Sequence, residues 1–376
     1  MIIEFFGGLL IMRLRLVKNL NFKMIIIVLF IFLISLLAIA SASHANKPEG
    51  TLHYTIMQAV WFIIGLLAMI FILLIDYNTI ASFSIYIYIA NILMLILVYA
   101  VGKTTMGAQR WIPIGPFSLQ PSEFAKLALI ISLSKHLEKT KGVKNLKDLI
   151  YVFIHVGIPL LLILKQPDLG TSLVLLAIMF SLVFVSGINL KLFFGVIGAG
   201  ILSMPVLWEF LHDYQRKRIL VFLNPNLDPL GAGYHVIQSK IAIGSGRILG
   251  KGLFHGTQNQ LDFIPEQHTD FIFAVIGEEM GFIGSILLLV LFVLLIYNVL
   301  QIALKSKDTL GTFIATGVAS MWTFQMLVNV GMTLGLMPVT GIPLPFVSYG
   351  GSSLLMNMMA LGLVLNVGMR RQKILF

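Results

Sequence analysis

The sequence has no cysteine, which excludes disulfides, zinc thiolates, iron–sulfur clusters and a cysteine nucleophile. It is also poor in charge. Only 11% of its 376 residues are Asp, Glu, Lys or Arg, while 58% are hydrophobic. A soluble globular chain has about 25% charged and roughly 45–50% apolar residues. The mean hydropathy is +0.96. These values exclude a soluble enzyme, a disordered protein and a nucleic-acid reader. The charge that is present is lopsided, with 26 Lys and Arg against 16 Asp and Glu, a formal +10. In a soluble protein that excess would point to an anionic partner. In a membrane protein it raises the matter of which side holds the cations.

What the sequence does have is long apolar runs. A spanning helix needs ~20 mostly apolar residues. Candidate spans are 24–42, 56–75, 82–101, 121–137, 149–165, 168–188, 191–210, 270–300, 311–336 and 349–369. The fold class is therefore an all-α polytopic membrane protein with about ten transmembrane helices. The first run continues past the ~7–15 residues of a signal h-region, so it reads as a retained helix. Residues 1–23 are expected to form an N-terminal cytoplasmic segment, and 24–376 one membrane domain. The 121–137 run is the least apolar, because it carries Glu123, Lys126 and Lys135. The 270–300 run is long enough to tilt or to extend beyond the bilayer. No internal repeat, and no paired broken helices of the kind many transporters show, is evident.

Lys and Arg of short loops set orientation. Arg13, Arg15, Lys18 and Lys23 precede the first span. Lys135, Lys139, Lys141, Lys144 and Lys147 lie between spans four and five, Lys191 follows span six, Lys305 and Lys307 follow span eight, and Arg370, Arg371 and Lys373 close the chain. All fall on one side if both termini are cytoplasmic. That side then holds 15 of the 26 cations and 5 of the 16 carboxylates, so the whole excess is a topology signal. The other side receives a polar insertion, about 209–269, between spans seven and eight. It includes a helix-like stretch at 234–243 and a glycine-rich run. Loops this long are uncommon unless functional. The 102–120 loop, with two prolines and a Trp, is expected to be irregular or interfacial.

Ionisable groups inside spans are costly and mark function by default. Glu123 and Lys126, at i and i+3 on a helix opened by Gln120 and Pro121, share one face. They read either as a mutual ion pair or as the lining of a polar cavity. Asp168 starts span six as a normal N-cap. Asp270 borders both the polar insertion and span eight, where Thr269 or Asp270 itself could cap the helix. A carboxylate partly desolvated there can have a raised pKa and act as a general base. Glu278 and Glu279, deeper in the run, are expected to be structurally paired. Arg110, Arg216, Lys217, Arg218, Lys240, Arg247 and Lys251 form a cationic lining suited to phosphates, or a solvated surface. The stretch 343–353, with Ser348, Ser352 and the Gly350–Gly351 pair, could hold an anion at a helix start.

Four blocks in this order resemble the SEDS family (shape, elongation, division and sporulation). They are GAQRWIPIGPFSLQPSEFAK (107–126), QPDLGTS (166–172), GKGLFHGTQNQLDFIPEQHTDFIFAVIGEEMGFIG (250–284) and GMTLGLMPVTGIPLPFVSYGGSS (331–353). The resemblance covers nearly the whole chain after the first two dozen residues and is closer to the elongation branch, RodA, than to the division branch, FtsW. It implies a peptidoglycan glycosyltransferase that polymerises lipid II at the outer face of the bacterial cytoplasmic membrane. The implied partners are a class B penicillin-binding protein, which crosslinks the strands, and other elongation-complex membrane proteins. The resemblance implies that Asp270 is the essential aspartate and that Arg110, Glu123, Lys126 and Asp168 are functional positions; Gln120, Lys240, Ser348 and Ser352 are further substrate-binding candidates. No cofactor is implied with certainty; a divalent cation, Mg or Mn, could join the cations at the leaving diphosphate. Two rival readings are a lipid II flippase and a non-catalytic scaffold for the penicillin-binding protein.

Overall fold

The computed structural model describes residues 19–44, 51–105, 108–115, 117–210, 213–229, 231–264 and 266–371. Arg13, Arg15, Lys18, Lys373 and most of the expected N-terminal segment lie outside the described residues.

Every one of the ten apolar runs is helical. In chain order the helices are α1 (Phe22–His44), α2 (Thr51–Leu74), α3 (Tyr77–Ser82), α4 (Ser84–Val101), α5 (Pro121–Thr140), α6 (Leu146–Lys165), α7 (Leu169–Val185) and α8 (Leu190–Leu202). They continue as α9 (Met204–Phe210), α10 (Asp213–Leu223), α11 (Ala232–Ser245), α12 (Thr257–Gln260), α13 (Ile272–Glu279), α14 (Gly281–Leu304), α15 (Thr309–Thr333) and α16 (Gly351–Met369). Among the described residues, seven helices (α1, α2, α4, α6, α14, α15 and α16) are long and apolar enough to cross a membrane. Of the other expected spans, α7 and α8 are short, at 17 and 13 residues, and α5 is polar at its start and charged at its end.

Local chemistry sets the boundaries. Pro121 occupies the first turn of α5, where its missing N–H costs nothing. Asn145 and Asp148 close a capping box on α6. Asp308 caps α15 through the Gly311 N–H at 2.8 Å. α15 and α16 form the centre, each buried along most of its length. α16 lies along α2, and α15 packs on α5, α7 and α14. Inside that core, Trp322 donates to Asn357 Oδ1 at 2.8 Å, satisfying the one polar atom of a buried indole.

Two expectations, for the 102–120 segment and the 270–300 run, need revision, while the helix expected at 234–243 is present as part of α11. The 102–120 segment is an antiparallel meander of β1 (Lys103–Thr105), β2 (Ala108–Ile114) and β3 (Phe117–Leu119), with Gly115 at φ 59° in the second turn. Much of the 209–269 insertion is helical, in α10, α11 and α12. The 270–300 run is not one helix: it breaks between α13 and α14 at Gly281, whose φ is 64°. A Cβ there would lie 2.3 Å from the Gly250 nitrogen, so only glycine lets the insertion's backbone reach the break. The Phe282 and Ile283 N–H groups, freed by the break, donate to the Arg247 and Ile248 carbonyls at 2.9 and 3.1 Å.

Candidate functional site

Two helix starts meet at one end of the bundle. At the start of α5, Lys126 Nζ lies 2.9 Å from Glu123 Oε2, with the two side chains 1% and 3% exposed. The i, i+3 spacing thus gives a fully buried ion pair. At the start of α7, Asp168 is the N-cap; it accepts from the Thr171 N–H and the Thr171 hydroxyl, both at 3.0 Å. Ser122 and the Gln120 amide also donate to its Oδ2, at 3.2 and 3.3 Å, which joins α5 to α7. Arg110, on β2, donates from Nε to the Gln166 carbonyl at 2.7 Å and from its other nitrogen to the Pro167 carbonyl. The guanidinium therefore holds the turn that presents Asp168. Ser352 accepts from the Gln120 N–H at 3.0 Å and donates to the Ser118 carbonyl at 3.2 Å, pinning α16 to the meander.

Asp270 comes to the same end from the insertion. Neither it nor Thr269 caps α13; the N-cap position belongs to Phe271, and no side chain bonds there. The Asp270 carboxylate therefore stays free of the capping role expected for it. Its backbone is fixed instead. Asn329 donates to the Asp270 and Ile342 carbonyls at 3.0 and 2.8 Å. Ser348 donates to the Thr269 carbonyl at 2.7 Å, and the Tyr349 N–H to the His268 carbonyl at 2.9 Å. The 340–350 loop thus clamps the Asp270 loop. A Cβ at Gly341 would stand 3.2 Å from Asp270 Oδ2, so the glycine keeps one side of the carboxylate open. A Cβ at Gly170 would lie 2.9 Å from the Thr340 carbonyl, so the start of α7 adjoins this loop. Arg218, on α10, donates to that carbonyl at 3.2 Å.

Asp270 is half-buried, and burial pushes its carboxyl up to about 6. Glu266 and Asp168 push in the same direction, while Arg218 and Arg110 pull against them. The result is a carboxylate on which Arg218 and Arg110 act from nearby but which forms no ion pair among the described residues. Burial lowers the proton affinity of His268 in the same loop.

The other expected residues sort differently. Lys240 is exposed and its end lies over Gly335, away from these contacts. Arg216 is engaged by the Trp208 and Glu209 carbonyls, Lys217 pairs with Asp228 at 3.0 Å, and Lys251 with Glu278 at 2.6 Å. Of the loop basics only Arg218 enters the field of Asp270, and nothing in the RKR run set it apart. The anion cradle at Gly350–Gly351 is partly filled: the Gly350 N–H donates to Gln58 at 3.3 Å, and the Trp61 ring lies where a Gly351 side chain would be. Asn329 and Gly341 were missed. A lone Asn in an apolar span was a signal for the first; the second had none. Among the described residues, no group of three or more His, Cys, Asp or Glu is placed to hold a metal ion.

A family model of cell cycle proteins, FtsW/RodA/SpoVE, matches residues 21–373. The chain is 41% identical over 355 residues to "Peptidoglycan glycosyltransferase MrdB" of Escherichia coli (strain K12), covering 94% of this chain and 95% of that one. Its structure is similar to one described as "Structural coordination of polymerization and crosslinking by a peptidoglycan synthase complex", with TM-score 0.79, 33% identity and coverage of 93% of this chain and 97% of that one. It is also similar to the rod shape determining protein RodA of Thermus thermophilus, with TM-score 0.71, 30% identity and coverage of 94% and 98%.

Proposed function

The chain belongs to the FtsW/RodA/SpoVE family of cell cycle proteins, and from that premise we propose that it is the elongation-type peptidoglycan glycosyltransferase. It is a multi-pass membrane enzyme that polymerises lipid II into glycan strands. Residues 24–376 act as one membrane domain of the cytoplasmic membrane, with both termini in the cytoplasm and Asp270 at the outer face. One observation carries the mechanism: Asp270 caps no helix and its turn is held through the backbone by Asn329 and Ser348, in a place where burial raises its proton affinity.

Asp270 takes the proton from the acceptor sugar hydroxyl as its oxygen attacks the anomeric carbon of the donor. Undecaprenyl diphosphate departs with the bonding electrons. Direct displacement converts an α-linked donor into a β-linked strand, so no enzyme nucleophile is needed. The leaving diphosphate needs charge stabilisation more than a strong acid, and we assign that role to Arg110 and Arg218, whose charges act on Asp270, while Lys126 is held in its buried pair with Glu123. A divalent ion accompanying the diphosphate would add to that neutralisation, with ligands drawn mainly from the substrate and water. Ser348 and Ser352 contribute by holding the loops, and Lys240 by meeting the lipid headgroup.

The strand product needs crosslinking, so the partner is a class B penicillin-binding protein, alongside other elongation-complex membrane proteins. The test is purified protein with lipid II in detergent, with and without that partner, scored for glycan strands. Wild type should polymerise and Asp270→Asn should not. Lipid II translocation without polymer would support a flippase instead, and neither activity would support a scaffold.

A further inference from the structure

Away from Asp270, a second pair of carboxylates is buried at the end of α13: Glu278 and Glu279 are 0% and 2% exposed. Glu278 is fully matched. Lys251 Nζ lies at 2.6 Å, the Gln258 and Asn259 N–H groups donate at 2.9 and 3.1 Å, and the Thr257 hydroxyl at 3.3 Å. Glu279 is not. Its Oε1 accepts from the Ser41 hydroxyl at 2.5 Å and from the Asn259 amide at 3.0 Å, but its buried Oε2 has no partner among the described residues. No cation among them pairs with it.

Asn259, itself fully buried, presents a second such oxygen. Its amide nitrogen donates to Ser41 Oγ, at 3.2 Å, and to Glu279, which fixes the orientation of the group and leaves Oδ1 without a donor. A Cβ at Gly256 would lie 2.8 Å from Glu278 Oε2 and 3.0 Å from Glu279 Oε1, so only glycine lets that backbone lie against the two carboxylates. A buried carboxylate lacking a counter-charge is strongly disfavoured. Carboxylate and amide oxygens without donors are the ligands that hard cations take. Lys251 already matches one of the two carboxylates, so a monovalent cation would suffice to match the other.

We propose that Glu279 Oε2 and Asn259 Oδ1 are protein ligands of a sodium ion that ties the 251–260 segment and α13 to α1. The site is separate from the reacting centre, and its test reads stability rather than activity. Thermal unfolding of the purified full chain in detergent is followed in sodium, potassium or choline chloride at constant ionic strength. The midpoint should be highest in sodium, rising by a few degrees over choline and saturating with concentration. Glu279→Gln should remove the difference between salts, whatever its own midpoint. Asn259→Asp adds a second carboxylate ligand and should gain a calcium-dependent rise that wild type lacks, which decides the matter if Glu279→Gln does not fold. Equal midpoints in all salts for wild type would overturn the proposal in favour of buried water. So would a sodium effect that survives Glu279→Gln, or an Asn259→Asp variant indifferent to calcium.

Discussion

A general base working near neutrality must be desolvated without being locked in an ion pair, and Asp270 and Lys126 sit on opposite sides of that distinction. Asp270 is pushed from 3.8 to about 6 by burial, with Glu266 adding to it. Its base form predominates above that value, so kcat/KM should be flat above about pH 6 and fall tenfold per unit below it. A pH profile of polymerisation by wild type checks this; a profile flat down to pH 4.5 would remove Asp270 from the role. The same shift has a stability consequence. The folded state holds this proton more tightly than the unfolded one, so the group favours folding fully below 3.8 and loses that contribution as pH rises through about 6. Asp270→Asn should therefore unfold at or above the wild-type temperature at pH 8 while losing activity by about 10²–10⁴-fold. Lys126 behaves oppositely. Lys126→Ala strands Glu123 at 3% exposure and should cost about 3–5 kcal/mol. Replacing both with apolar residues of similar size should recover most of that stability. If the recovered variant polymerises normally, the pair is structural; continued inactivity assigns it to the substrate.

At the scale of elements, α7 shows how a cap becomes part of a site. Asp168 caps its own helix and also collects Ser122 and Gln120 from α5, so one carboxylate sets the spacing of two helix starts. Asp168→Ala should cost about 0.5–2 kcal/mol for the cap, with a further loss from the freed Gln120 and Ser122. Asp168→Asn should keep the cap and recover part of the midpoint, read by thermal unfolding. Features of this kind were legible in the sequence because they are local: Pro121 at a first turn, an Asp before an apolar run, Glu and Lys three apart. The break between α13 and α14 was not, because both halves are apolar and the cause is a tertiary contact between Gly281 and Gly250. The meander at 103–119 was hidden because two of its strands are only three residues long and Pro113 and Gly115 interrupt any alternation. The capping role expected for Asp270 failed because that turn is held from outside, by Asn329 of α15 and by Ser348 of the 340–350 loop.

At the scale of the whole molecule, the charge imbalance and the missing cysteines bear on one experiment. If both termini share the cytoplasmic side, the whole +10 excess falls with them and the Asp270 side carries balanced charge. That division fixes orientation only if the loops between α5 and α6 and the 251–260 segment lie on opposite sides of the membrane. Lys144 and Thr257 are both exposed, one in each region. Because the chain has no cysteine of its own, Lys144→Cys and Thr257→Cys each create a single reactive thiol. In intact cells stripped of any outer barrier, a membrane-impermeant maleimide should label Thr257→Cys and leave Lys144→Cys untouched until the membrane is opened. The reverse pattern would put Asp270 in the cytoplasm, away from the growing wall. Labelling at both positions in intact cells would mean that the two regions share a side. The reversed pattern would leave the reaction proposed for Asp270 with no route to its product's destination, while labelling at both positions would overturn the expected topology alone, so this labelling tests the mechanism as well as the topology.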